Sequence, residues 1–217
     1  MNGLDRLLQL RAENDAAGEI MRKEAPRFLQ LARRHELGTA PQSVTGFNLF
    51  QTPRVIAARM ADLIRERIGD RTGARILEPS VGLGRLWEPF SVEADAMRQA
   101  WQMVEDSGEC VRAFEKMLKR AGIVRHRDFL DTTADDLGGR FDAVIMNPPF
   151  KQGRDVKHIE HALEMVRPGG RLVALCYNGT RQNEKLRPIA DVWEVLPEKS
   201  FREEGTAASV AMLVIDK

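Results

Sequence analysis

The chain has 217 residues, 43% of them hydrophobic and 30% charged, which is ordinary composition for one domain with or without a small appendage. Basic and acidic side chains nearly cancel, at a formal net charge of +1, so a nucleic-acid surface has to be a local patch and not a bulk property. No apolar run reaches the length of a membrane span and no signal-peptide pattern opens the chain. Cys110 and Cys176 lack the paired spacing of a disulfide framework or zinc site, so a reduced, cytoplasmic protein is expected.

Residues 1–46 read as an N-terminal helical extension. Leu4, Leu7 and Leu8 start one apolar stripe, and Pro26 fits the first turn of a second helix carrying Phe28, Leu29 and Ala32, with Gly38 as its stop. A loop follows to Gln51. Thr52-Pro53 then predicts a helix, with Thr52 as its cap, Pro53 at the first position, a stripe of Ile56, Met60, Leu63 and Arg67, and Gly69 at the close.

Arg75-Ile76-Leu77-Glu78 reads as a strand that ends in an acid and enters the turn Pro79-Ser80-Val81-Gly82-Leu83-Gly84. Two glycines after a strand bring backbone amides close to a ligand in doubly wound folds. No Gly-Lys-Thr or Gly-Lys-Ser follows, which excludes a nucleotide-triphosphate loop, and Trp87 stands where a dinucleotide fingerprint has its third glycine. Pro89 interrupts the first crossover helix early. Ala100–Glu105 is a second strand ending in an acid, placed to accept both hydroxyls of a ribose. A helix with Cys110, Phe114, Met117 and Leu118 on its apolar face leads to a third strand over residues 123–129, which ends in Asp128-Phe129.

Ala143-Val144-Ile145-Met146 is an apolar run between a glycine turn and two prolines, and reads as a buried strand. Asn147 stands at its carboxyl end, followed by Pro148, Pro149 and Phe150. An amide there offers one acceptor and two donors in a plane, and the phenyl ring a flat apolar face, which together suit a planar amine. The same residues also fit a strand-ending turn with Asn as a local cap. Lys151, Arg154 and Lys157 make the next segment a basic loop, ahead of a helix over residues 158–166 that stops at Pro168-Gly169-Gly170. Arg171–Cys176 is a fifth strand and 177–190 a polar loop with Arg181, Lys185 and Arg187; residues 192–196 and 208–215 are two further strands. His158 and His161 share a helix face but have no third ligand nearby, so no metal site is expected.

The sequence of motifs is Glu-Pro-Ser-x-Gly-x-Gly after a strand, then strand-acid, strand-Asp-Phe, strand-Asn-Pro-Pro-Phe and helix-Pro-Gly-Gly-strand. In this order it resembles the class I S-adenosylmethionine-dependent methyltransferases. Within them it is similar to the gamma-class N6-adenine DNA methyltransferases, in which a Thr-Pro helix precedes the glycine loop. The resemblance runs from about Phe47 to Lys217. It implies a Rossmann-like α/β fold with a seven-stranded, mostly parallel sheet whose last strand is antiparallel, in a methyltransferase domain over residues 47–217. S-adenosylmethionine is the implied cofactor.

Residue by residue, the resemblance places Phe50, Thr52 and Pro53 at the methionine end of the cofactor. Glu78, with Pro79, Ser80 and the Gly82–Gly84 turn, would hold its amino and carboxylate groups. Glu105, with Asp106 beside it, would take the ribose hydroxyls, and Asp128 and Phe129 the adenine. Asn147 and the Pro148 carbonyl would accept from the target amine, and Phe150 would stack on a flipped base. Similar tetrapeptides occur in guanine-N2 RNA methyltransferases and in glutamine methyltransferases that act on release factors. No target-recognition domain fits within 177–190. Sequence specificity is therefore expected to be low, to be supplied by a homodimer or separate specificity partner, or to be built from residues 1–46 and the two basic loops, with Lys151, Arg154, Lys157, Arg181 and Lys185 as phosphate contacts.

Overall fold

The computed structural model describes residues 51–69, 71–91, 100–119, 121–198, 200–201 and 208–217. The expected helices in residues 1–46, and Phe50 of the expected site, lie outside the described residues.

The first described helix, α1, is Arg54–Ile68. The strands are β1 (Arg75–Glu78), β2 (Ala100–Glu105), β3 (Val124–His126), β4 (Phe141–Met146), β5 (Val166–Tyr177), β6 (Val192–Val195) and β7 (Val210–Asp216). Between them lie α2 (Glu88–Ser91), α3 (Gly108–Leu118), α4 (Arg154–Met165) and α5 (Thr180–Lys185). The strands form one sheet in the order β3-β2-β1-β4-β5-β7-β6. Every pairing is parallel except those of β7, which runs antiparallel to β5 and β6. This is the expected methyltransferase sheet.

The unbroken apolar run in β4 follows from burial on both faces. Val144 and Met146 join the cluster under α4, with Val156, Ile159, Ala162 and Met165. Ala143 and Ile145 point to the opposite side and join α1. The chain goes from β1 outward to β2 and β3, then returns to β4 on the other side of β1. That reversal opens a crevice at the carboxyl ends of β1 and β4, where open α/β sheets bind ligands. Glu78 ends β1 there, and Asn147 follows β4.

Several local expectations give way. Pro53, not Thr52, is the residue before α1, and no side chain caps the helix. The buried face of α1 is Ala57, Met60, Ala61, Ile64 and Ile68, about one residue round from the expected stripe. Two alanines let the helix lie close on β4 and β5, and close approach outweighs the larger but only partly buried Ile56 and Leu63. Met117, expected on the inner face of α3, is exposed, while Cys110 and Phe114 are buried. β3 is only Val124–His126, because Asp128 accepts from the Leu130 amide at 3.0 Å and starts a 3₁₀ turn over Phe129–Asp131.

The expected basic loop is the 3₁₀ turn Lys151–Gly153 followed by the first turn of α4. α4 begins four residues early because Gly153 takes a left-handed conformation that turns the chain straight into the helix. The helix also ends without a loop: β5 begins at Val166, and its register against β4 jumps between Phe141–Val166 and Ala143–Arg171. That jump accommodates Pro168-Gly169-Gly170 within the strand. The expected polar loop over 177–190 contains α5 and a 3₁₀ turn at Arg187–Ile189.

Candidate active site at the carboxyl edge of the sheet

The glycine turn after β1 is pinned to the end of β2. Glu105 Oε2 accepts from the Gly82 amide at 2.7 Å and Oε1 from the Ser107 amide at 2.9 Å. The Val81 amide donates to the Val104 carbonyl at 3.1 Å, and the Gly84 amide to the Val81 carbonyl at 2.7 Å. Each Glu105 oxygen keeps a further lone pair, so the carboxylate is oriented by the turn and still able to accept. Burial pushes this carboxyl up to about 7, with Asp106 adding to the rise and the Ser107 and Gly82 amides opposing it. Glu78 is 1% exposed, and its Oε2 is buried with no hydrogen-bond partner among the described residues. Burial, reinforced by the nearby Glu105, holds the Glu78 carboxyl well above the usual carboxylate range. Two buried acids side by side, one with an orphaned oxygen, form an acceptor set matched to a cationic ligand carrying an amine and hydroxyls. S-adenosylmethionine fits that description.

Asn147 is half-buried, and its Nδ2 donates to Thr52 Oγ1 at 3.1 Å. Thr52 is 1% exposed. The hydroxyl expected to cap α1 instead holds the amide at the end of β4. The nitrogen arm of the amide is thus the one that faces Thr52. Pro148 is buried, and Phe150 is half-buried against the α1 cluster. Arg85, directly after the glycine turn, donates to Gln51 Oε1 at 2.9 and 3.3 Å and pairs with Glu88 at 3.0 Å. This brace from the glycine turn to the segment ahead of α1 carried no sequence signal, because neither residue belongs to a motif.

Asp128 sits at the far end of the site, beside the buried Phe129. Its Oδ2 accepts from Arg154 Nη2 at 2.8 Å. Against the opposing effect of burial, Arg154 and the Leu130 amide hold Asp128 below the ordinary carboxyl range. Arg154, expected as a phosphate contact, gives one Nη2 donor to Asp128, and the pair stays partly exposed. His158 is buried behind this pair, and burial together with Arg154 pushes it down to about 4. His161 meets the Thr132 carbonyl at 2.8 Å and packs edge-on to Phe129, with ring centroids 4.9 Å apart. No cluster of three metal-ligating side chains occurs among the described residues. Lys151, Lys157, Arg181 and Lys185 are exposed.

Residues 60–201 match the methyltransferase small domain family, which covers most of the chain. The chain belongs to this family. Among solved structures, the fold is similar to the methyltransferase subunit of a type I restriction-modification system from Streptococcus thermophilus. That likeness has a TM-score of 0.64 at 16% identity and covers 77% of this chain and 45% of that one. It is equally similar to a protein described as a class I S-adenosylmethionine-dependent methyltransferase from Listeria monocytogenes, at TM-score 0.64, 18% identity, and 87% and 66% coverage. In sequence it is similar to the rRNA N(6)-adenosine-methyltransferase metl-5 of Caenorhabditis elegans, 27% identical over 141 residues. That match takes in 61% of this chain and 64% of the relative, so the chain spans less than two thirds of it. The family is one of methyltransferases, and the fold is shared with a protein described as S-adenosylmethionine-dependent.

Proposed function

We propose that the chain methylates the N6 amine of adenine in a nucleic acid, with DNA as the first substrate class. The observation that carries this reading is the Asn147–Thr52 hydrogen bond, which sets the nitrogen arm of the amide at the end of β4 toward Thr52, in a segment that ends in Phe150. An aromatic amine is a poor nucleophile because its lone pair is delocalised into the ring. Asn147 Oδ1 and the Pro148 carbonyl would accept its two hydrogens, favour a tetrahedral nitrogen and free the lone pair for attack. The cofactor supplies an electrophilic methyl group on a sulfonium. Phe150 would offer the stacking face that offsets the few kcal/mol needed to unstack a base.

In this reading Glu78 and the turn from Pro79 to Gly84, including Ser80 and Gly82, hold the amino-acid end of the cofactor. Thr52 and Pro53 border that end as well, but Thr52 acts chiefly through Asn147. Glu105 and Asp106 take the ribose, and Asp128 and Phe129 take the adenine. Residues 1–46 form a separate extension ahead of a methyltransferase domain over 47–217, and specificity comes from that extension, a second copy or a partner.

A second reading, adenosine in structured RNA, is favoured by the similarity to the rRNA N(6)-adenosine-methyltransferase. The test is transfer of labelled methyl groups from S-adenosylmethionine to unmethylated DNA, RNA and protein, with Asn147→Ala as control. N6-methyladenine in DNA, lost in the variant while cofactor binding persists, is the expected result. Label in RNA alone selects the second reading, label in protein alone overturns both, and an Asn147→Ala protein with full turnover removes the assigned mechanism.

A further inference from the structure

Helix α5 is fastened to the turn that follows Phe150. Arg181 Nη1 donates to the Gln152 carbonyl at 3.1 Å. Gln182 Nε2 donates to both oxygens of the buried Asp155, at 3.0 and 2.8 Å. The amides of Val156 and Tyr177 complete that carboxylate's shell at 2.9 and 3.0 Å. Gly153 lets the guanidinium lie there: its φ is +72°, and a Cβ on it would stand only 3.0 Å from Arg181 Cζ. Gln152 holds φ +58°, a conformation non-glycine residues rarely keep unless their surroundings enforce it. The turn after the Asn-Pro-Pro-Phe segment and α5 are thus one framework.

Beside α5 lies an open cleft of about 630 Å³, lined by Asn178, Thr180, Asn183, Glu184, Arg187 and Val195. Its floor is ordered. Asn183 Nδ2 donates to Asn178 Oδ1 at 3.0 Å and to the Gly179 carbonyl at 2.9 Å, and Asn178 Nδ2 donates to Ser209 Oγ at 3.2 Å. Tyr177, 43% exposed, lays its ring against Gly179, where a Cβ would fall 2.8 Å from two ring carbons. The cleft is on the same edge of the sheet as Asn147. Asn178 follows β5, the neighbour of β4, and Val195 ends β6, which runs parallel to β5 two strands further out. At about 4.8 Å per strand the cleft spans roughly 5–15 Å from Asn147. A stacked strand covers that distance in a few nucleotides at about 3.4 Å each.

We propose that this cleft is a subsite for a nucleotide flanking the target adenine in the substrate strand. The base stacks on Tyr177, Glu184 reads its edge, and Arg187 meets the backbone phosphate. This rests on the nucleic-acid reading above and adds a flanking preference to it. An exposed tyrosine beside hydrogen-bonding amides and a cation is the combination that holds a single-stranded nucleotide. Glu184 is an acceptor without donors, so it selects bases that present an exocyclic amine and disfavours thymine or uracil. The Arg181 and Gln182 contacts keep the subsite in fixed register with Phe150.

The test uses the full chain and oligonucleotides that carry one adenine in varied flanking contexts, scored by methyl transfer and by anisotropy. The wild type is compared with Tyr177→Ala, Glu184→Gln and Arg187→Ala, and cofactor affinity serves as the folding control. Tyr177→Ala is expected to weaken oligonucleotide binding roughly tenfold. Glu184→Gln is expected to flatten the preference for amine-bearing flanking bases and leave cofactor affinity unchanged. Glu184 is exposed, so that variant stays informative if Tyr177→Ala fails to fold. A wild type active on oligonucleotides, with the Glu184→Gln and Arg187→Ala profiles unchanged, overturns the subsite alone. A wild type that neither binds nor methylates any oligonucleotide overturns the nucleic-acid reading and the subsite together.

Discussion

At Gly84 the missing side chain serves packing. Its φ is +78°, and a Cβ built on it would meet the ring of Phe114, with Cζ at 2.9 Å as the farthest of the three nearest ring atoms. Phe114 is fully buried on α3, packed edge-on to Trp87 with centroids 5.7 Å apart, so the ring cannot swing into solvent. Gly84→Ala therefore incurs two costs. The left-handed backbone costs an L-residue about 1–2 kcal/mol, and forcing a methyl into a filled space costs about 1–3 kcal/mol. The sum, about 2–5 kcal/mol, is a large part of the stability of a domain this size. It corresponds to a fall in Tm of roughly 4–20 °C.

The assay is urea unfolding of Gly84→Ala, Phe114→Leu and the double variant, with cofactor affinity measured on each folded protein. Phe114→Leu removes the ring edge, so the double variant should be more stable than the sum of the single losses by about 1 kcal/mol or more. The left-handed cost remains, and recovery should be incomplete. If the glycine instead kept side chains away from the cofactor, Gly84→Ala would unfold like the wild type and lose cofactor affinity, and Phe114→Leu would rescue nothing. That outcome would refute the packing account.

Other consequences follow from the same site. Thr52→Val keeps the shape but removes the acceptor that orients Asn147, so kcat should fall roughly tenfold, the worth of one modest hydrogen bond, with cofactor affinity nearly unchanged; a loss confined to cofactor affinity would return Thr52 to the methionine end. Glu105 titrates near 7 in the folded chain, above an ordinary glutamate, so the folded state holds its proton more tightly than the unfolded state. Its contribution to stability is therefore fully present below the unfolded pKa and is lost as pH rises through about 7. A cationic cofactor favours the ionised form, so affinity should strengthen from pH 6 to 8 with proton release in calorimetry, and Glu105→Gln should abolish that dependence. Arg154→Gln breaks the pair with Asp128 and should change cofactor affinity at constant salt slope for nucleic acid, whereas Lys157→Gln should lower that slope by about one; the reverse pattern would mark Arg154 as a phosphate contact.

What the sequence revealed and what it hid have different physical origins. β1 and the core of β4 are legible because a strand buried on both faces must be continuously apolar, and Glu78 and Asn147 mark where those runs end; β2 is buried only over Met103-Val104-Glu105, and its closing acid marks its end. β5 was harder to bound because its register jump lets Pro168-Gly169-Gly170, a normal stop signal, lie inside the strand. The start of α4 was hidden for a related reason: Arg154, Asp155 and Lys157 look like a solvated loop, yet Asp155 is fully buried. Its burial depends on donors from Gln182 and the Tyr177 amide, far along the chain, and no local pattern announces such partners.

The same distinction explains why Thr52, expected as a cap, is not one. A threonine before a proline is a sound local reason for a cap, but the hydroxyl has one best partner, and the long-range one is available. α1 is held against β4 by Ala57 and Ala61, and that approach brings Thr52 within 3.1 Å of Asn147, 95 residues on. The small residues of α1 and the orientation of Asn147 are thus one arrangement: a bulkier residue at 57 or 61 would lift the helix from the sheet and withdraw the hydroxyl. Orientation of the acceptor at the end of β4 depends on how closely a helix from the start of the domain can pack on the sheet.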